Sequence, residues 1–338
     1  MRVIRALVRP IHEREDGAVL AMAAISLIVL LGMLVLTVDL GRSVAIKRQM
    51  VNGTDAAALA AAQDCAANKG GLAQGDALAI LRENRDGASV SGFSAPQCGA
   101  LSTFGPKQVT VNTTTPVTYY FAPLFGVDSG AVTASATAIW GPISKTRPIP
   151  ITVNRTQLQG CHIPSSIPSG ETLDCELAYP RNTLVEPRWG ALDLSRWNEA
   201  GAAPCHVSAA TLMNEISSGG WPDPLPINPA PTGHDIGFTP DCLDNGLSFS
   251  VWQSMVGRTL TFPVIDVPTS TGQGCTGADA GCRLDSANIV AFVTLKVISA
   301  QNDGSTVRLQ VQWLGPQVTD GEIGNGPDYG DRAIRLVR

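Results

Sequence analysis

Residues 17–38 carry no charged side chain, and apart from Gly17, Ser26, Gly32 and Thr37 all are Ala, Val, Leu, Ile or Met. At about 1.5 Å per residue such a helix reaches about 33 Å, enough for a hydrocarbon core. A cleavable secretory signal has a shorter apolar core, about 7–15 residues. A buried helix of a globular core would show a polar face. The pattern therefore predicts a transmembrane helix over residues 17–40, behind a tail at 1–16. Residues 43–67 hold no proline and contain the block Ala56-Ala57-Ala58-Leu59-Ala60-Ala61-Ala62, so the helix is expected to continue to a stop at Gly70-Gly71. Leu72, Leu78 and Leu81 recur near helical spacing and predict a second helix over 72–83. The period then changes to alternation. Residues 109–111, 117–121 and 132–139 read as half-buried strands, and later strands are expected at 260–266, 289–298, 307–313 and 333–337.

Composition sharpens this picture. Charged residues are 16% of the chain, below the roughly 25% of ordinary soluble domains, and the formal net charge of -5 offers no basic stripe for nucleic acid. The 34 glycines and 23 prolines imply many turns and short strands beyond the helices. The fold class expected is α+β. A transmembrane helix runs on into a helix with a small antiparallel sheet (41–150), and a disulfide-stapled, strand-rich domain (151–338) follows the Pro148-Ile149-Pro150 linker.

The basic residues Arg2, Arg5, Arg9 and Arg14 before the span are nearly balanced by Arg42, Lys47 and Arg48 after it, so the positive-inside rule barely orients the chain. Cysteine orients it better. Cys65, Cys98, Cys161, Cys175, Cys205, Cys242, Cys275 and Cys282 all follow the span, and the number is even, as expected of disulfides in an oxidising compartment. The expectation is a single-pass cell-membrane protein with a cytoplasmic N-terminus and an extracytoplasmic bulk. Proximity along the chain favours Cys65–Cys98, Cys161–Cys175, Cys205–Cys242 and Cys275–Cys282, although eight cysteines allow about 105 connectivities.

Catalytic signatures are sparse. The chain has four histidines and lacks His-Glu-x-x-His, Gly-x-Ser-x-Gly, a Walker loop and a dinucleotide fingerprint. Cys161-His162 and Cys205-His206 are conceivable halves of a zinc site, but adjacent ligands are unusual and disulfides are the stronger reading. The glycine-spaced carboxylates of residues 320–331 do not follow EF-hand order, so a solvated turn is expected there rather than a calcium site. Asp39, with Arg42 in the next turn, reads as an interfacial residue rather than a buried charge. No enzyme activity, cofactor or metal is expected.

Two blocks carry a resemblance. The first runs from Gly17-Ala18-Val19 to Val38-Asp39-Leu40-Gly41-Arg42 and on through Asn52-Gly53-Thr54-Asp55-Ala56-Ala57-Ala58-Leu59-Ala60. The second is Thr115-Pro116-Val117, Phe121-Ala122-Pro123-Leu124-Phe125-Gly126-Val127 and Val132-Thr133-Ala134-Ser135-Ala136-Thr137-Ala138. Their content and order resemble TadG-like proteins of the Tad (Flp) pilus-assembly system, over roughly residues 14–140. The resemblance implies a pilin-like build for residues 41–150. It also implies a minor-pilin-like, structural role in pilus assembly or secretion, with the lipid bilayer and other Tad or pilin-like membrane proteins as partners. It makes Gly17 and Ala18 the candidate prepilin-type processing site. Met22 stands where such precursors usually carry Glu and cannot neutralise a neighbour's terminal amine, so an uncleaved anchor is expected. Asp193-Leu194-Ser195-Arg196-Trp197 lacks the last serine of the von Willebrand-type metal motif found in longer relatives. Residues 187–293 loosely resemble the C-terminal part of short TadG-like proteins, which names no activity. The competing class is an extracytoplasmic binding module or enzyme tethered by a pilin-like anchor.

Overall fold

The computed structural model describes residues 15–98, 105–163, 171–180, 192–193, 209–220, 224–227, 237–238, 248–266 and 288–337. Its longest feature is a continuous helical rod. It consists of α1 (Glu15–Leu34), one π-helical stretch (Val35–Asp39) and α2 (Leu40–Ala66), together about 75 Å long at about 1.5 Å per residue. The rod stops at Ala66, short of the glycine pair, because Asn68 already takes a left-handed conformation (φ 61°), which asparagine tolerates better than most residues.

Helix α3 (Ala73–Asn84) folds back along α2. Its buried stripe is Ala73, Ala77 and Leu81, while Leu72 is exposed. The leucine spacing thus gives the right helix, with Leu81 inside and Leu72 outside. Close approach is what the buried face needs. A Cβ on Gly53 of α2 would stand 2.9 Å from Cβ of Asn84 and 3.3 Å from the Leu81 side chain.

Strands β1 (Ser89–Ser94), β2 (Lys107–Thr118) and β3 (Ser129–Thr146) form an antiparallel meander against α2. Strand β2 alternates buried and accessible positions along its whole length, placing Val109, Val111, Thr113, Thr115 and Val117 inward. The buried sides of α2, toward the sheet and α3, are small: Gly53, Thr54, Ala57, Ala58, Ala61 and Ala62. The alanine block therefore does more than favour a helix; it lets the backbone lie close on the sheet. Where two polar residues meet in this layer they satisfy each other, the Thr54 and Thr113 hydroxyls lying 2.6 Å apart.

Further along come β4 (Val153–Asn154), α4 (Arg155–Gly160), β5 (Leu173–Pro180), β6 (Leu192–Asp193), α5 (Ala209–Ser218), β7 (Leu225–Pro226), β8 (Gly237–Phe238) and α6 (Phe249–Ser254). The chain closes with β9 (Thr259–Asp266), β10 (Asn288–Asn302), β11 (Thr306–Trp313), β12 (Gln317–Val318), β13 (Glu322–Ile323) and β14 (Asp331–Val337). A second sheet has the order β4-β9-β10-β11-β5 and its own core around Leu158, Tyr179, Trp252, Phe262, Leu309 and Trp313. The expected Pro148-Ile149-Pro150 linker belongs to this core. Ile149 is fully buried there, and its N–H donates to the Thr261 carbonyl at 2.8 Å.

The last strand does not stay with the second sheet. Strand β14 pairs antiparallel with β3, Arg332 opposite Pro142 through Val337 opposite Thr137, so the first sheet reads β1-β2-β3-β14-β12. Across the expected boundary at residue 150, this strand completes the sheet that β1, β2 and β3 start. Among the described residues the architecture is mixed α+β, with an N-terminal apolar helix, two large sheets, a two-stranded β6–β8 pair and two cores.

Candidate functional site

Among the described residues, nothing covers the apolar half of the rod. Val19, Leu20, Met22, Ile25, Leu27, Ile28, Val29, Leu30 and Met33 are all exposed, Leu20 at 74%, and they point to every side of the helix. The helix meets the length and apolarity required of a candidate membrane span. Gly17 and Ala18 lie in the early turns of α1.

Where this run ends, the sheet reaches down to meet it. From Thr54 back to Asp39 the helix descends about 22 Å at about 1.5 Å per residue. From Thr113 to Tyr120 an extended chain covers about 23 Å at about 3.3 Å per residue. Contacts run in step along this distance. Thr54 touches Thr113, the Arg42 guanidinium donates to the Thr118 carbonyl at 2.7 Å, and Asp39 receives the backbone of residues 120–122. Strand β2 therefore runs down α2 toward the apolar segment, and the β2–β3 connection sits level with the end of that segment.

Asp39 is the latch of this arrangement. It is only 3% exposed. One carboxylate oxygen accepts the Tyr120 N–H at 2.9 Å; the other accepts those of Phe121 at 2.9 Å and Ala122 at 2.8 Å. These amides open a short 3-10 helix (Ala122–Phe125) and have no partners within it, so a carboxylate is the natural cap. The expected interfacial residue is thus a buried acceptor of three backbone N–H groups. Pro123 helps to start the turn, and Gly126 ends it in the left-handed region at φ 84°. The Arg42 guanidinium also lies 4.7 Å from the centre of the Tyr120 ring, a cation–π contact. Lys47 donates to the Thr133 carbonyl on β3.

Sequence reasoning missed this latch. The signal was present: an acid directly after a long uncharged run, with an arginine three positions on.

The structure bonds Cys65 to Cys98 and Cys161 to Cys175. The first bridge ties the end of the rod to the segment after β1; the second ties α4's end to β5. Cys161 is thereby removed as a zinc ligand. Cys205, Cys242, Cys275 and Cys282, and the weak metal motif at 193–197 beyond Asp193, lie outside the described residues. Of the carboxylates at 320–331, Asp328 and Asp331 are buried and turned to protein groups. Asp328 pairs with Arg332 at 2.8 Å, and Asp331 accepts from the Thr294 N–H at 3.0 Å and its hydroxyl at 2.8 Å. Burial pushes Asp331 up to about 7, against the pull of the two Thr294 bonds.

Two clefts remain. One, of about 380 Å³, is bordered by Lys145, Arg147, Asp320 and Glu322, with Lys145 and Glu322 paired at 3.5 Å. The other, of about 410 Å³, surrounds the Cys161–Cys175 bridge, and its Glu176 is engaged by Arg308 and Gln310, each at 2.7 Å. Among the described residues, no three His, Cys, Asp or Glu side chains gather as a metal site would require.

Residues 17–64 match the Tad family model, "Putative Flp pilus-assembly TadE/G-like". The matched stretch is almost the whole rod, including the exposed apolar half, Asp39 and the small-residue face that lies on the sheet. No curated protein and no solved structure matches the chain.

Proposed function

We propose that this chain is a membrane-anchored, minor-pilin-like component of a Tad/Flp-type pilus-assembly or secretion system, with a structural rather than catalytic role. One observation carries the reading. The segment that matches a pilus-assembly family is a single rod whose N-terminal half is apolar and left uncovered on all sides by the described residues, while its C-terminal half is the spine of a folded body. A soluble protein leaves no such surface to water, since burying one Leu or Ile is worth about 1.5–3 kcal/mol. Lipid, or the apolar helices of partner subunits in lipid, would cover it. Gly17, Ala21, Ala24 and Gly32 supply small residues at which neighbouring helices approach closely.

The reading separates an assembly helix from a passive tether. Replacing residues 18–38 with an unrelated apolar span of equal length is expected to preserve membrane insertion and abolish pilus assembly, scored by pilus yield at native protein abundance. Normal pili from the swapped protein would remove the assembly role of the helix and favour a binding module on a tether.

A further inference from the structure

The connection between β2 and β3 ends in an exposed apolar tip. Tyr120, Leu124, Phe125 and Val127 are exposed, Leu124 at 64% and Phe125 at 54%, and residues 119–127 hold no charged side chain. Small proteins do not present large apolar side chains side by side on a loop without something to cover them. The tip is also held rather than loose. The Tyr119 N–H donates to the Asp128 carbonyl at 3.1 Å to close its base, Asp39 fixes residues 120–122, and Arg42 holds Thr118 and Tyr120.

We propose that this tip is an interfacial foot, seated in the headgroup–acyl boundary of the same bilayer that the helix crosses. The inference rests on the anchoring reading above and adds a second contact between protein and lipid. Three features select lipid as the occupant. First, the tip stands level with the end of the apolar run, where a membrane surface would lie, because β2 descends the helix in step with it. Second, its apolar surface is continuous in height with exposed Val38, Leu40 and Val44 on the rod. Third, its chemistry is that of an interface: Tyr120 and Phe125 stand exposed beside Leu124 and Val127, with Arg42, Lys47 and Arg48 on the next helical turns, where anionic headgroups would be. A single helix leaves the body free to tilt and rotate about the span. A foot beside it would fix both, and the latch at Asp39 would carry that orientation from the membrane to the sheet.

The test uses full-length protein in phosphatidylethanolamine–phosphatidylglycerol vesicles, with a genetically encoded dansyl amino acid in place of Leu124, Ile28 or Ser305. Vesicles carry a spin-labelled lipid quencher at either a shallow or a deep position. With the probe at 124, shallow quencher is expected to dominate, corresponding to about 5–10 Å below the headgroup surface. With the probe at 28, deep quencher should dominate; at 305, on the exposed β10–β11 turn, neither should act. A probe at 124 that behaves like the one at 305 while position 28 stays quenched would overturn the foot and leave the anchor standing. A probe at 124 shielded from aqueous acrylamide but untouched by lipid quencher would also overturn it, in favour of a contact with another protein copy. Loss of quenching at 28 would remove the anchor itself, and the foot with it.

Discussion

Two aspartates show how much a carboxylate's meaning depends on what surrounds it. Asp39 is held by three backbone N–H groups and holds the 3-10 turn in return. Removing it leaves those amides without acceptors at a buried position, a cost that falls on the turn. Asp39→Ala is expected to strip hydrogen-exchange protection from the amides of 120–122 while leaving β2 and β3 protected. Asp39→Asn, which offers one acceptor oxygen, should restore part of it. Unchanged protection in the alanine variant would mean the latch does not hold the turn. Asp331 has the opposite character. Burial disfavours its charge, so the folded state binds its proton more tightly than the unfolded state, whose value is near 3.8. Between about pH 4 and pH 7 the native protein therefore holds more proton at this site, and the Asp331 contribution to stability is full below that window and is lost as pH rises through about 7. Asp331→Asn keeps the shape and abolishes the titration. Thermal unfolding from pH 4 to 8 should show the wild-type midpoint falling relative to the variant across this range, with the difference level above it. A gap that does not change with pH would remove Asp331 as the titrating group.

At the scale of elements, the closing strand is secured by a buried charge as well as by its ladder. Arg332 is 2% exposed, donates to Asp328 through two nitrogens at 2.8 and 2.9 Å, and donates to the Ala66 carbonyl at 2.7 Å. It thus joins the end of α2 to β14, two elements separated by most of the chain. Arg332→Ala strands Asp328 without its cation, a loss of about 3–5 kcal/mol for buried pairs. Removing both charges with Arg332→Met and Asp328→Leu should recover most of it in urea unfolding of the detergent-solubilised chain. Equal destabilisation in single and double variants would assign the loss to packing alone. Local pattern predicted the long helices and the longest strands, and missed β1, β5 and the short helices α4, α5 and α6. The expected strands at 260–266, 289–298, 307–313 and 333–337 fall inside β9, β10, β11 and β14, because alternation is a property of neighbouring residues. What pattern does not carry is partnership. Nothing in 333–337 says that its neighbour is β3, and nothing in Pro148-Ile149-Pro150 distinguishes a linker from a core segment. Such assignments come from long-range pairing. Asp39 was misread for the same reason: Arg42 is close in sequence, but the amides that use the carboxylate are some eighty positions away.

For the whole molecule, the return of β14 to the first sheet constrains topology. The spine α2 and the strand Asp331–Val337 share one sheet unit, and the second sheet lies between them in the chain. A body closed in this way is not divided across a bilayer, so the described elements from α2 to β14 share one compartment. We propose that this compartment is extracytoplasmic, because bridges such as Cys65–Cys98 and Cys161–Cys175 persist in an oxidising space whereas cytoplasmic thiols stay reduced. A reporter fused after Arg338 should therefore be active if it is an extracytoplasmic phosphatase and silent if it is a fluorescent protein that folds only in the cytoplasm. Non-reducing mass spectrometry of the same membranes should recover the peptides joining Cys65 to Cys98 and Cys161 to Cys175. The two measurements check each other, because closure of the sheet ties the reporter's compartment to that of the bridges. A fluorescent cytoplasmic reporter together with intact bridges would contradict the closed sheet, since the terminus would then lie across the membrane from the cysteines. A fluorescent reporter with reduced cysteines would leave the fold intact and reverse its orientation.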